Sequence, residues 1–94
     1  LVLDSGAREA RLRGVRLTPP LPRKEFDILE LLYHNKGNAV TREQIAAAGW
    51  PERPNDVTDE EIDQYIRRLR LRIEEHPSHP KLVVTLRGFG YRMP

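Results

Sequence analysis

Thr58-Asp59-Glu60-Glu61-Ile62-Asp63-Gln64-Tyr65-Ile66-Arg67-Arg68-Leu69-Arg70-Leu71-Arg72-Ile73-Glu74-Glu75 is the stretch on which the fold turns. Thr58 followed three residues later by Glu61 is the signature of a capping box, so a helix starts there. Ile62, Ile66, Leu69 and Ile73 recur at intervals of four, three and four, which buries one narrow stripe. Pro77 stops the pattern, and the helix is predicted over about 58–75. At 100° per residue, Gln64, Arg67, Arg68 and Leu71 point away from the stripe, with Arg70 and Arg72 flanking it on either side.

Upstream of this helix, residues 50–57 carry Pro51, Pro54 and Asn55-Asp56 and read as a loop. Thr41 with Gln44 is a second capping box, opening a short helix over about 41–49. The first helix of the chain, over about 23–36, is apolar around most of its circumference at Phe26, Ile28, Leu29, Leu31, Leu32 and Tyr33, and therefore lies deep in the core. Lys36-Gly37-Asn38 ends it. Residues 1–18 read as short strands broken at Asp4-Ser5-Gly6 and Gly14, with Arg11, Arg13 and Arg16 between apolar residues as on a half-solvated sheet. Downstream, Leu82–Leu86 and Tyr91–Met93 flank Arg87-Gly88-Phe89-Gly90, a hairpin over about 82–93. The expected fold class is α+β: strands, three helices, hairpin.

Ninety-four residues make one domain, 1–94, with a modest core. The first residue is Leu1 rather than Met, so the chain is expected to be a piece of a longer protein. With 38% hydrophobic and 32% charged residues and a mean hydropathy of −0.63, the composition suits a soluble domain. No apolar run approaches the roughly 20 residues of a membrane span, and no secretory signal is visible. The absence of cysteine excludes a disulfide scaffold, a thiolate metal site and a cysteine nucleophile.

The net charge of +2 says little, but its distribution says more. Residues 52–63 hold one base against six acids, whereas residues 64–94 hold seven bases against two acids. An α-helix fits the major groove of DNA, where an arginine fork pairs with guanine and an amide with adenine. Gln64, Arg67 and Arg68 are a candidate reading face, with Arg70 placed for phosphate. The same helix also fits an ordinary solvated face whose acids and bases follow the helix dipole. In the hairpin, period two sets Thr85 and Arg87 opposite Val84 and Leu86. Arg87 then stands at the turn, where it can enter a minor groove, and Gly88 and Gly90 permit close approach to another backbone.

Lys24-Glu25-Phe26-Asp27-Ile28-Leu29, Val40-Thr41-Arg42-Glu43-Gln44, Ile62-Asp63-Gln64-Tyr65-Ile66-Arg67-Arg68-Leu69-Arg70 and Thr85-Leu86-Arg87-Gly88-Phe89-Gly90-Tyr91-Arg92 follow in that order. Together they resemble the C-terminal effector domain of OmpR/PhoB-family winged-helix response regulators, over essentially the whole chain. The resemblance implies a winged helix-turn-helix: a four-stranded N-terminal antiparallel sheet, a three-helix core and a C-terminal β-hairpin wing. It implies double-stranded promoter DNA as partner, bound by tandem protomers, with the third helix in the major groove and the wing in the minor groove. By position, the recognition-helix contacts fall on Asp63, Gln64, Tyr65, Arg67, Arg68 and Arg70, and the wing contacts on Thr85, Arg87 and Tyr91. Backbone contacts fall on Arg42 and Trp50, and loop 50–57 matches a segment that some members use to touch RNA polymerase. A receiver domain N-terminal to this one is the family default.

Three positions depart from the family pattern. Glu60 and Glu61 stand where relatives often carry Arg, Ser or Thr, and Pro22 stands where a Ser or Thr usually caps the first helix. Other chemistries fit less well. His76 and His79 are spaced for a metal, but two prolines and the lack of further ligands favour a surface loop. Asp59, Glu60, Glu61 and Asp63 sit where a helix N-terminus attracts acids without chemistry. Ser5 and Ser78, the only serines, have no base nearby in sequence. The expectation is a cytoplasmic regulator that is not an enzyme and needs no cofactor, metal, membrane or small-molecule substrate. From another class, the alternative is a winged helix that docks proteins through Leu71, Trp50 and the acidic loop.

Overall fold

Both capping boxes form as the sequence predicts. Thr58 Oγ1 accepts from the Glu61 N–H at 3.1 Å, and the Glu61 carboxylate accepts from the Thr58 N–H at 2.9 Å. Thr41 and Gln44 repeat the exchange at 3.1 and 2.8 Å. In the computed structural model, which describes residues 1–94, the chain runs β1 (Val2–Asp4), β2 (Glu9–Leu12), β3 (Val15–Arg16), α1 (Arg23–His34), β4 (Val40–Thr41), α2 (Arg42–Gly49), α3 (Asp59–Ile73), β5 (Val84–Leu86) and β6 (Gly90–Arg92). No helix is long and apolar enough to cross a membrane.

The stripe of α3 is buried as its spacing requires: Ile62, Ile66, Leu69 and Ile73 are each at most 3% exposed. They meet Ile28, Leu29 and Leu32 of α1 and Ile45 and Ala46 of α2 in one core, which Val83, Tyr91 and Met93 close from the wing side. Two helices end earlier than predicted. Asn35 donates from its side chain to the Leu31 carbonyl at 2.7 Å and from its backbone to Leu32, which breaks the ladder of α1 after His34. Glu74 leaves α3 in extended conformation, and its carboxylate accepts the N–H groups of Lys81, Leu82 and Val83 at 2.7–3.1 Å. That clamp fixes the 75–82 loop and the root of the wing.

The two sheets also differ from expectation. The N-terminal sheet has three strands, in the order β1-β2-β3, where the resemblance implied four. The Leu17 N–H adds one bond to Ala10 at 2.8 Å, but Pro19, Pro20 and Pro22 follow and have no N–H to extend a ladder. Pro22 is the N-cap of α1 and offers no side-chain bond there. The wing, read as a two-stranded hairpin, is a three-stranded sheet in the order β4-β6-β5. Val40 and Thr41 pair with Tyr91 and Gly90, so the strand leading into α2 holds the wing against the helical core.

Glu61 does more than cap. Its carboxylate also receives the Arg53 guanidinium at 2.8 Å, tying loop 50–57 to the first turn of α3. The Arg53 hydrogen bond, with the Thr58 N–H behind it, lowers the Glu61 carboxyl from the ordinary 4.5 to about 2. A depressed carboxylate contributes stability above its unfolded value and loses it as pH falls through the folded one. Thermal melts between pH 6 and about 2 should therefore show Glu61→Gln less stable than the parent at neutral pH, with the gap closing as acid is added. A gap that stays constant would mean the contact is not ionic.

Candidate nucleic-acid interface

The outer face of α3 presents Gln64, Arg67, Arg68 and Leu71, all exposed. The side chains of Gln64, Arg67 and Arg68 make no hydrogen bond or ion pair within the chain. Arg68 instead lies over the Tyr65 ring at 4.7 Å, and Tyr65 meets Trp50 edge-on at 5.2 Å. Trp50 is 2% exposed, and Lys24 lies 5.2 Å from its ring while donating to the Gly49 carbonyl at 2.7 Å. A continuous run of contacts thus leads from the core to the Arg68 guanidinium and orients it. Trp50 and Tyr65, placed among the DNA contacts by the resemblance, are packed inward as supports for Arg68.

Between α3 and the wing opens a cleft of about 380 Å³, lined by Arg42, Asp63, Arg67, Arg70, Thr85 and Tyr91, with Pro77 at its edge. These six residues come from four elements and are all sequence-predicted site residues, gathered into one place by the fold. Asp63 Oδ1 accepts from the Tyr91 hydroxyl and from Arg42 Nη2, the latter at 3.2 Å. Tyr91 is 3% exposed, with the Arg42 and Arg70 guanidiniums 5.4 and 5.8 Å from its ring centre. Burial and then the Asp63 carboxylate push its hydroxyl up to about 12, so it remains a donor at any physiological pH.

Arg70 is also committed. Its Nε and Nη2 donate to the Val83 carbonyl at 3.0 and 2.8 Å, and Nη2 donates to Thr85 Oγ1 at 2.8 Å. It pins the wing to α3, a role the sequence does not advertise because the partners lie 13 and 15 residues away. Arg42 is held by Asp63 and by Asp59, whose Oδ1 is 3.7 Å from Nε. That Nε is buried and makes no hydrogen bond.

At the wing, Arg87 is exposed and has no partner within the chain, and Thr85 is exposed on the same strand face. Gly88 turns the chain at φ +74°. Gly90 has a different purpose from the one its position suggested: a Cβ there would stand 2.1 Å from the Val40 carbonyl oxygen. The backbone it lets approach is β4 of its own chain. Phe89, between these glycines, is 55% exposed and was not singled out by sequence reasoning, since a tip residue belongs to no periodic pattern. Glu60 is exposed beside Asp63, Gln64 and Arg67, whereas Glu61 faces loop 50–57. His76 and His79 sit on an exposed loop, where the Ser78 hydroxyl is 3.1 Å from His79 Nδ1.

Residues 17–93 match the family described as transcriptional regulatory protein, C terminal. The chain is 43% identical over 74 residues to the sensory transduction protein RegX3 of Mycolicibacterium smegmatis, which covers 78% of this chain and 32% of that protein. It thus spans about a third of the length of that curated relative. Among solved structures, the response regulator DrrB of Thermotoga maritima, an OmpR/PhoB homologue, superposes with a TM-score of 0.84 at 35% identity, over 97% of this chain and 40% of that one. The DNA-binding domain of Klebsiella pneumoniae RstA, described in complex with the RstA box, superposes with a TM-score of 0.82 at 25% identity, over 97% and 87% of the two chains. With the family model matched over residues 17–93 and the fold shared with these proteins, the chain belongs to the family of transcriptional regulatory protein C-terminal domains, the winged-helix DNA-binding effector domains of OmpR/PhoB-type response regulators.

Proposed function

We propose that this domain recognises specific double-stranded DNA with α3 in the major groove and the wing in the adjacent minor groove. The observation that carries the reading is the division of labour among its arginines. Arg42 and Arg70 are tied to Asp63, Val83 and Thr85, which locks α3 and the wing together around the cleft. Arg67, Arg68 and Arg87 are left with no acid of their own. Unpaired guanidiniums on an exposed helix face suit guanine edges and phosphates. Asp63 would otherwise repel phosphate, but its charge is answered by Arg42 and the Tyr91 hydroxyl. Asp63, Tyr65, Tyr91 and Trp50 act chiefly as positioning residues in this reading, and Arg42, Arg70 and Thr85 face the DNA backbone. The complex described for the Klebsiella RstA domain supports a duplex as ligand.

Regulator function in the cytoplasm, tandem protomers on a promoter, and RNA polymerase contact through loop 50–57 complete the proposal. In that loop Trp50 is buried and Arg53 is tied to Glu61, so Pro51, Glu52, Pro54, Asn55 and Asp56 form its exposed surface, with Glu52 paired to Lys24 at 3.3 Å and Asp56 carrying the unpaired acid. An acidic exposed loop suits a basic protein partner better than it suits DNA.

The test is binding of the parent chain and of Arg87→Ala to two duplexes that differ only in an A·T-rich segment flanking the major-groove half-site, across a salt series. A narrow A·T minor groove attracts arginine, so the parent should prefer the A·T-rich duplex and Arg87→Ala should lose that preference. The slope of log affinity against log salt should fall by about one ion in the mutant if a phosphate pairing is lost too. An identical flank preference in both proteins would remove Arg87 from groove reading. No measurable binding to either duplex, even at low salt where phosphate attraction is strongest, would favour the protein-docking alternative.

A further inference from the structure

The exposed face of α3 contains one residue that neither charge nor packing explains. Leu71 is 65% exposed, belongs to no part of the core, and sits three and four residues beyond Arg68 and Arg67 and seven beyond Gln64. At 1.5 Å per residue the face from Gln64 to Leu71 is about 10 Å long, or about three base-pair steps. The major-groove edge of DNA carries a single apolar feature, the C5-methyl group of thymine. We propose that Leu71 is a specificity-determining residue that reads a thymine methyl, about one to two base pairs from the bases read by Arg67 and Arg68. The inference rests on the DNA-binding reading above and adds a thymine requirement that the arginines and Gln64 cannot supply, since none of them distinguishes thymine from uracil.

Leucine is also a good helix former, which alone could place it on a solvated face. Alanine separates the two roles, because it supports a helix at least as well and removes the apolar reach. Bound sequences are first selected from a randomised duplex pool with the parent chain. Each thymine of the selected site is then replaced singly by deoxyuridine, which deletes the methyl and changes no hydrogen-bonding group. One position should lower affinity of the parent about three- to fivefold, the effect of one methyl taken out of water. Leu71→Ala should bind the thymine and uracil duplexes equally at that position, while 7-deazaguanine in place of guanine elsewhere in the site, which removes the N7 acceptor an arginine fork uses, should affect both proteins alike. A parent indifferent to every thymine methyl, or a Leu71→Ala chain as sensitive as the parent, overturns the inference and leaves DNA binding standing. A selection that enriches no sequence overturns the DNA-reading proposal and this one with it.

Discussion

Replacing Gly90 by alanine should lower stability by about 2–4 kcal/mol, a fall in melting temperature of roughly 10–20 °C for a domain of this size. The added Cβ would meet the Val40 carbonyl oxygen at 2.1 Å and the Thr41 Cα at 3.0 Å, and both are backbone. A flexible side chain could swing aside, whereas a paired strand cannot. β6 is the central strand of its sheet, bonded to β4 on one side and β5 on the other, so relieving the contact means giving up one ladder. Gly90 also has a φ of +158°, at the edge of the region that side chains disfavour. Thermal denaturation followed by circular dichroism measures the effect, and a melting temperature within two or so degrees of the parent would show that β4 yields easily. Gly88→Ala, at φ +74° with open space around it, meets only the backbone penalty and should cost less.

Arg68→Ala should weaken binding to a selected site by roughly 1–3 kcal/mol, about five- to more than a hundredfold, and flatten the preference at one or two base pairs. Of the arginines of α3, Arg68 is the one held by an aromatic platform and by no oxygen, so its donors are oriented yet unoccupied. Glu25 of α1, 6% exposed, feels the positive charges of Arg68 and Arg72; burial raises its carboxyl, and these two arginines draw it back in part. Removing Arg68 leaves the apolar stripe of α3 intact but takes away part of the charge that offsets the burial of Glu25, so a modest loss in thermal stability should accompany a larger loss in binding. Competition between selected and random duplexes separates base reading from backbone attraction. Equal losses on both would move Arg68 to the backbone class, the behaviour expected of Arg70→Ala once its effect on the wing is allowed for.

Short-range signals carried the helices. A capping box spans four residues and an amphipathic stripe repeats within four, so Thr41, Thr58 and the Ile62–Ile73 series announce themselves in any window of the chain. The errors at helix ends arose where a side chain reached past its own turn, as Asn35 does to Leu31 and Glu74 does to Lys81, Leu82 and Val83. β4 escaped notice because two residues carry no period, and what makes Val40-Thr41 a strand is Tyr91 and Gly90, about fifty residues on.

The candidate site divides in the same way. That Gln64, Arg67, Arg68 and Leu71 share one exposed face, and that Arg87 stands at a hairpin turn, follows from helical and strand periodicity, which are properties of the local backbone. Which charges remain available to a ligand depended on contacts between distant elements. Asp63, Arg42 and Tyr91 meet across 21 to 49 residues, and Arg70 finds Val83 and Thr85 only after α3 has packed against the wing. The sequence alone determined the three helices and the hairpin and the side of each that faces water. Only the tertiary structure decided which basic side chains brace the fold and which are free, because a charge is neutralised by its neighbour in space, and the chain sets that neighbour by folding.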